Sequence, residues 1–225
     1  SDIFTFVVND REFDSNPATV NINVAPNVRT LQVQLTGSAN DVEQSGSGKM
    51  DLDSGDLDAG ARPVAVRFEG IDIPQGATIL SAYVQFTADK TASAPSDLVV
   101  RGEASDQSAN FTSEAFNLTS RPSTSAAVNW SVPAWVEDER GAQQRTPDLK
   151  AVIQEIVGRG GWSSGNALTI VLEGNTGERA IRSFDDDPNA AATLVIEFGA
   201  GPAINAPPTA DDQVAFTNVH TPVDI

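Results

Sequence analysis

Apolar residues alternate with polar or small residues between Val64 and Phe86, and this pattern predicts two β-strands. In the first strand, Val64, Val66 and Phe68 recur at every second position, as expected for a strand that buries one face. Residues 73–76 (Ile-Pro-Gln-Gly) then predict a turn, because proline presets φ and glycine accepts a positive φ. A hairpin of this kind is not stable by itself, so a second sheet must pack against it.

The second strand of this hairpin, 78–86, is predicted to point its side chains alternately to two faces. Ile79, Ser81 and Tyr83 fall on one face. The other face carries Leu80, Ala82, Val84 and Phe86. Similar patterns predict further strands, at 31–35, 98–103, 167–173 and 193–198.

One helix is predicted between Thr146 and Gly158. Thr146 is expected to cap the N-terminus of this helix, Pro147 to occupy its first position, and Asp148 to complement its dipole. Apolar residues then recur with helical spacing at Leu149, Val152, Ile153, Ile156 and Val157. The sequence therefore predicts an all-β fold, a jelly-roll β-sandwich of roughly eight to ten strands with one short helix.

Composition restricts the function classes. The chain has 225 residues and a formal net charge of −17, which argues against nucleic acid and against an anionic membrane surface as partners. It contains no cysteine, so disulfides and thiolate chemistry are excluded, and its single histidine, His220, makes histidine-based acid–base catalysis a poor hypothesis. No apolar run is long enough to insert into a membrane. We expect a protein that is not an enzyme.

The central stretch resembles a known family. Residues 67–86 follow the pattern R-F-x-G-I-x-I-P-x-G-A-x-I-x-S-A-x-V-x-F, which resembles the core of DNRLRE-type jelly-roll domains, relatives of a carbohydrate-binding-module family. The resemblance continues at residues 182–184 (Arg-Ser-Phe) and in the closing strand 193–198, and it covers roughly residues 30–199. It implies a jelly-roll domain over 28–200 and a carbohydrate as one class of ligand.

Both ends of the chain resemble parts of bacterial cadherin-like (Ig-like) tandem repeats. Residues 1–27 resemble the last strands of one repeat, and residues 201–225 resemble the linker and first strands of the next, so we expect a piece of a longer protein. These segments are either remnants, poorly ordered or packed on the central domain, or strands that pair with each other within one chain or with a neighbouring repeat or subunit. The predicted assembly residues are Phe4, Phe6, Val8, Val20, Ile22, Val24, Val214, Phe216 and Val223.

Acidic residues in two loops predict a calcium site. Calcium takes six to eight oxygen ligands from carboxylates and carbonyls on flexible loops. The Gly/Ser/Asp-rich segment 40–58 and the acidic run 185–187 supply such oxygens. The predicted ligands are Asp41, Glu43, Asp185, Asp186 and Asp187. The alternative is a solvated acidic loop without metal.

Aromatic residues predict a sugar site. Aromatic side chains stack on pyranose rings. The predicted stacking residues are Trp130 and Trp135, and Tyr83 and Arg101 are further candidates for sugar contacts. The alternative assigns Tyr83 and Trp162 to the core.

Taken together, the sequence predicts a calcium-stabilised structural or adhesive repeat of a secreted or cell-surface protein, which links neighbours by strand addition. The alternative function is a carbohydrate-binding module of a polysaccharide-active protein.

Overall fold

The computed structural model describes residues 2–9, 11–22 and 27–199. Within these residues the chain is an all-β sandwich with one short helix, α1 (Lys150–Val157), which confirms the predicted fold class. The strands are β1 (Asp2–Phe6), β2 (Ala18–Ile22), β3 (Val28–Gln34), β4 (Asp41–Gln44), β5 (Met50–Asp51), β6 (Asp56–Ala59), β7 (Val64–Phe68), β8 (Thr78–Gln85), β9 (Ser96–Glu103), β10 (Ser123–Val132), β11 (Leu168–Thr176), β12 (Arg179–Arg182) and β13 (Thr193–Gly199).

Two layers of antiparallel strands enclose the core. The first layer is a sheet with the strand order β10-β9-β11-β7-β4-β5. The second layer contains the sheet β3-β13-β8 and the pair β12-β6, which a bridge between Ala88 and Ile181 links to the continuation of β8. The core between the layers includes Val66, Phe68 and Val84, each fully buried, and α1 contributes Val152, Ile153, Ile156 and Val157.

Strand β7 is buried on both faces. The period-two pattern of this strand predicts burial of one face only, yet Ala65 and Arg67 are as inaccessible as Val64 and Val66. The reason is the loop that follows β9, because it crosses the outer face of the first sheet. A second apolar cluster lies there, formed by Val42, Met50, Ala65, Phe111, Leu118 and Val171. The first sheet is therefore covered on both sides at its centre.

A bulge in β8 changes the predicted division of its side chains. Ser81 pairs with Glu197 and Ile79 pairs with Phe198, so Leu80 is an extra residue with no partner in the ladder. Ile79 is therefore fully buried, whereas Leu80 is 39% exposed. The predicted placement of these two residues is wrong, because strict alternation does not anticipate a bulge. Beyond the bulge the alternation holds, because Ala82 and Val84 are buried and Tyr83 points outward.

The helix starts later than predicted. It begins at Lys150, with Leu149 at the cap position and no side-chain capping bond. Thr146 instead accepts a hydrogen bond from the backbone of Val84 (3.0 Å), and Asp148 accepts one from Ala82 (2.9 Å) as well as one from Lys150 (3.0 Å). The segment 144–149 runs along the free edge of β8 and satisfies its backbone donors. Thr146 is thus an edge-covering residue rather than a helix cap.

The strands β1 and β2 form a separate two-stranded sheet. In their antiparallel register Phe6 pairs with Ala18, and Phe4 pairs with Val20. Ile3, Phe6 and Val8 are 67%, 45% and 60% exposed. Of the other predicted assembly residues, Val24, Val214, Phe216 and Val223 lie outside the described residues.

Candidate functional site

Trp130 and Trp135 are core residues. Their side chains are 4% and 1% exposed, and the ring of Trp130 lies 6.2 Å from Phe86 and 6.1 Å from Trp135. The indole N–H of Trp135 donates to the carbonyl oxygen of Gln143 at 3.1 Å. Neither ring offers an open face to a pyranose, so the prediction that they form a stacking platform is wrong. Trp162, at 2% exposure, belongs to the same core.

Tyr83 is the aromatic residue that reaches a surface groove. It lies half-buried on the outer face of β8, and the guanidinium carbon of Arg145 sits 4.7 Å from the centroid of its ring. This geometry is that of a cation–π pair. Nε of Arg145 donates to Oε1 of Gln85 at 2.5 Å, which fixes the plane of the guanidinium. The assignment of Tyr83 to the core is therefore wrong as well.

Arg140 is the second cation of this surface. Its Nη1 donates to Oγ1 of Thr87 (2.7 Å) and to the carbonyl oxygen of Ala190 (2.8 Å), and its Nη2 donates to Oγ1 of Thr193 (2.7 Å). All of these acceptors are neutral. Partial burial lowers the pKa of Arg140 by desolvation of the guanidinium. The side chain is thus held in place without a counter-charge.

These side chains line a groove of about 300 Å³ on the outer face of the second layer. We call it the Arg140 groove, and its lining residues are Gln32, Tyr83, Gln85, Arg140, Arg145, Thr193 and Val195. Strands β3, β8 and β13 each contribute to it, the edge-covering segment supplies Arg145, and Arg140 precedes that segment in the chain. Within the part of the chain that the structure describes, no carboxylate forms an ion pair with Arg140 or Arg145. The groove is therefore a cationic site on an acidic protein.

A larger depression of about 590 Å³ adjoins the groove and shares Arg140 with it. Here the cation is Arg182, which pairs with Asp138 (2.6 Å), Asp89 (3.3 Å) and Asp186. The hydrogen bonds that Arg182 donates to Asp138 and Asp186 raise the pKa of its guanidinium. This depression therefore carries acidic as well as basic side chains, in contrast to the Arg140 groove.

Asp41 and Asp185 lie close together beneath the loop that forms one wall of this depression. Oδ2 of Asp41 accepts a hydrogen bond from the backbone of Phe184 (2.7 Å), and Oδ1 of Asp185 accepts one from Ser38 (2.6 Å). Asp41 is 4% exposed. Burial raises its pKa to about 7, and repulsion from Asp185 contributes to the same direction.

The other predicted calcium ligands have different partners. Glu43 is buried beside Arg62, whose Nη1 donates to its Oε2 at 3.0 Å, and burial raises the pKa of Glu43. Asp186 pairs with Arg182, and Oδ1 of Asp187 accepts the backbone N–H of Asn189 at 2.9 Å. Among the residues described by the structure, no group of three or more histidine, cysteine or acidic side chains is arranged to hold a metal ion. The calcium site stays a prediction, and the five residues do not form one cluster.

Most residues of the Arg140 groove were not predicted from the sequence. Arg101, the predicted cationic partner for sugar, lies in β9 of the first sheet and donates to the carbonyl oxygen of Thr124 at 3.1 Å. Gln32 was recognisable only as a polar, outward position of a predicted strand, and Arg140 carried no local signal. Their proximity depends on the pairing of distant strands.

No known family model matches the chain, and no curated protein is similar enough to it to count as a relative. Among the described residues, no helix has the length and apolar character needed to cross a membrane.

Proposed function

We propose that this chain is a non-catalytic module of a secreted or cell-surface protein, and that it binds an acidic polysaccharide in the Arg140 groove. The observation that supports this most is the pair Arg140 and Arg145, two ordered guanidinium groups without a carboxylate partner among the described residues. Both lie in one groove, beside an aromatic ring and two glutamine side chains.

The chemistry of these groups suits a sugar that carries carboxylates or sulfates. A guanidinium binds such anions through parallel N–H donors, more specifically than a lysine ammonium does. The amides of Gln32 and Gln85 can exchange hydrogen bonds with hydroxyl groups. Since the chain carries a net charge of −17, the rest of its surface repels an anion, and the groove becomes the favoured contact.

The acidic residues near the groove support a binding role rather than hydrolysis. Glycoside hydrolysis requires two carboxylic groups that face the scissile bond from opposite sides. Asp138 and Asp186 both accept hydrogen bonds from the guanidinium of Arg182, so both carboxylates face one arginine rather than opposite sides of a bound sugar. The resemblance to carbohydrate-binding-module relatives at residues 67–86 agrees with this proposal.

Affinity electrophoresis tests the proposal directly. The protein is run through native gels that contain either an acidic polysaccharide, such as polygalacturonate, or a neutral one, such as a β-glucan. We expect retardation by the acidic polymer and none by the neutral one. The acidic polymers tested include carboxylated and sulfated ones. Equal mobility of the protein in all of these gels would contradict the proposal.

A second candidate function is the linking of neighbours through the β1–β2 hairpin. The exposed apolar side chains of Ile3, Phe6 and Val8 favour it, because an uncovered two-stranded sheet is marginal in water. If the hairpin links neighbours, light scattering should show assemblies larger than dimers whose size grows with protein concentration. The measurement is made in calcium and repeated with a chelator. A Phe6→Ser, Val8→Ser double variant should abolish them, and monomers at every concentration of the unaltered protein would contradict the linking role.

A further inference from the structure

Strand β3 is an edge strand with one open side. Within the described residues it pairs only with β13, in a continuous register from Val28 opposite Gly199 to Gln34 opposite Thr193. The backbone N–H and C=O groups that point away from β13 therefore have no partner strand among these residues. An open edge of this kind is a template for another strand.

The other edges of the sandwich are shorter or carry at least a partial cover. The segment 144–149 covers β8, and Thr146 and Asp148 accept hydrogen bonds from its backbone. On β10, the carboxylate of Glu155 accepts the N–H groups of Ser125 and Ala126 (2.8 Å each). Strands β5 and β6 have two and four residues. By contrast, β3 has seven residues.

The sequence of β3 lacks the features that protect an edge. It contains no proline, no lysine and no acidic residue, and Arg29 is its only charge. The side chains of Leu31 and Val33 pack against the core, yet both are only partly buried, because no strand in the described part of the chain flanks them on the open side. An additional strand would complete their burial.

We propose that β3 pairs with β3 of a second copy of this chain, antiparallel and centred on Leu31. In this register Leu31 lies opposite Leu31 of the second copy, and Arg29 lies opposite Val33, so positions on the same face of the two strands meet. Thr30 lies opposite Gln32 on the outer face. No like charges oppose each other directly, although the chain as a whole is strongly acidic.

This two-fold arrangement has a consequence for binding. The symmetry axis is perpendicular to the sheet, so the combined sheet β8-β13-β3-β3-β13-β8 carries both Arg140 grooves on the same face. A polymer could then contact two grooves at once, with a gain in avidity. The pairing itself does not rest on the proposed function, whereas this gain does.

Cysteine cross-linking tests the register. The chain has no cysteine, so Leu31→Cys introduces a single thiol. Residues directly opposite in an antiparallel pair have Cβ atoms about 4.5–5.5 Å apart, close enough for a disulfide after a small adjustment. The matched control is Val28→Cys on the same strand, whose two copies would lie about 20 Å apart. We expect mild oxidation to link Leu31→Cys into a covalent dimer and to leave Val28→Cys unlinked.

Light scattering and hydrogen exchange complete the test. We expect a monomer–dimer equilibrium in the unaltered full chain, and a dissociation constant at least about tenfold higher for Leu31→Lys, because like charges then face each other. Monomers at every concentration, equal cross-linking of the two cysteine variants, or an assembly that survives Leu31→Lys would overturn the proposal. Slow hydrogen exchange of the amides on the open side of β3 in the dilute monomer would also overturn it, because the chain itself would then cover this edge. Polysaccharide binding by the monomeric Leu31→Lys variant is measured separately, so the proposed function is judged independently.

Discussion

At the scale of single residues, Asp41 shows how burial controls a charge. Its carboxyl group lies beneath the backbone of Phe184, near Asp185, and its pKa rises from 3.8 to about 7. The folded state therefore binds this proton more tightly than the unfolded state. The corresponding stability is fully present below pH 3.8, and it is lost as the pH rises to about 7.

We predict that Asp41→Asn removes this part of the pH dependence. The asparagine oxygen can still accept the hydrogen bond from Phe184, but it carries no charge. The melting temperature of the variant relative to the unaltered protein should therefore rise between pH 4 and pH 7 and level off above pH 7. Exposed Asp53→Asn serves as the control with the same charge change. A constant difference across this pH range would contradict the raised pKa of Asp41.

Trp130 is expected to contribute to stability rather than to binding. Its ring packs between Phe86 and Trp135, so Trp130→Ala leaves a large cavity and should lower the free energy of unfolding by about 3–5 kcal/mol. Trp130→Phe should cost less, because part of the volume is kept. Urea unfolding measures both effects. A folded Trp130→Phe variant that loses polysaccharide binding would show that the tryptophan contacts ligand after all.

At the scale of secondary-structure elements, the edge of β8 depends on side chains as well as backbone. Thr146→Val keeps the shape of the side chain but leaves the buried N–H of Val84 without its 3.0 Å acceptor. We predict a loss of about 1–3 kcal/mol in the free energy of unfolding, measured with denaturant. Thr146→Ser keeps the hydroxyl and should retain most of the stability. If Thr146→Val were neutral, the edge-covering role would be wrong.

The sequence predicts elements whose burial follows a simple period. The apolar stripe of α1 falls into this class, and the same kind of pattern locates the strands around Val66 and Val84, although β7 is buried on both faces and β8 carries a bulge. The start of α1 was misplaced because Thr146, Pro147 and Asp148 are favourable at a helix N-terminus and equally able to bind an adjacent strand. Local preference does not distinguish these two uses, and the free edge of β8 decides between them.

The candidate site was harder to predict than the fold. Tyr83 and Gln85 are close in sequence, but Gln32 and Arg145 reach the same groove from distant segments. A tryptophan pattern alone gives no information on exposure, so Trp130 and Trp135 were assigned to the surface. The bulge at Leu80 likewise depends on pairing with β13, which no local pattern encodes.

At the scale of the whole molecule, the distribution of charge is the main feature. The chain has 31 acidic and 14 basic residues, and two of the basic residues converge in one groove without counter-ions among the described residues. Binding of an acidic polymer should therefore weaken as salt screens the guanidinium groups. We predict a steady fall in affinity between about 50 and 500 mM NaCl, whereas binding through hydroxyl groups alone would be nearly insensitive to salt.

The most direct test compares Arg140→Gln with Lys150→Gln by isothermal titration calorimetry against the acidic polysaccharide that retards the unaltered protein. Both variants remove one positive charge, but Lys150 begins α1 and does not line the groove. We predict at least about a tenfold loss of affinity for Arg140→Gln, equal to about 1.4 kcal/mol, and little change for Lys150→Gln. Equal affinities for the two variants would contradict the assignment of the Arg140 groove as the binding site.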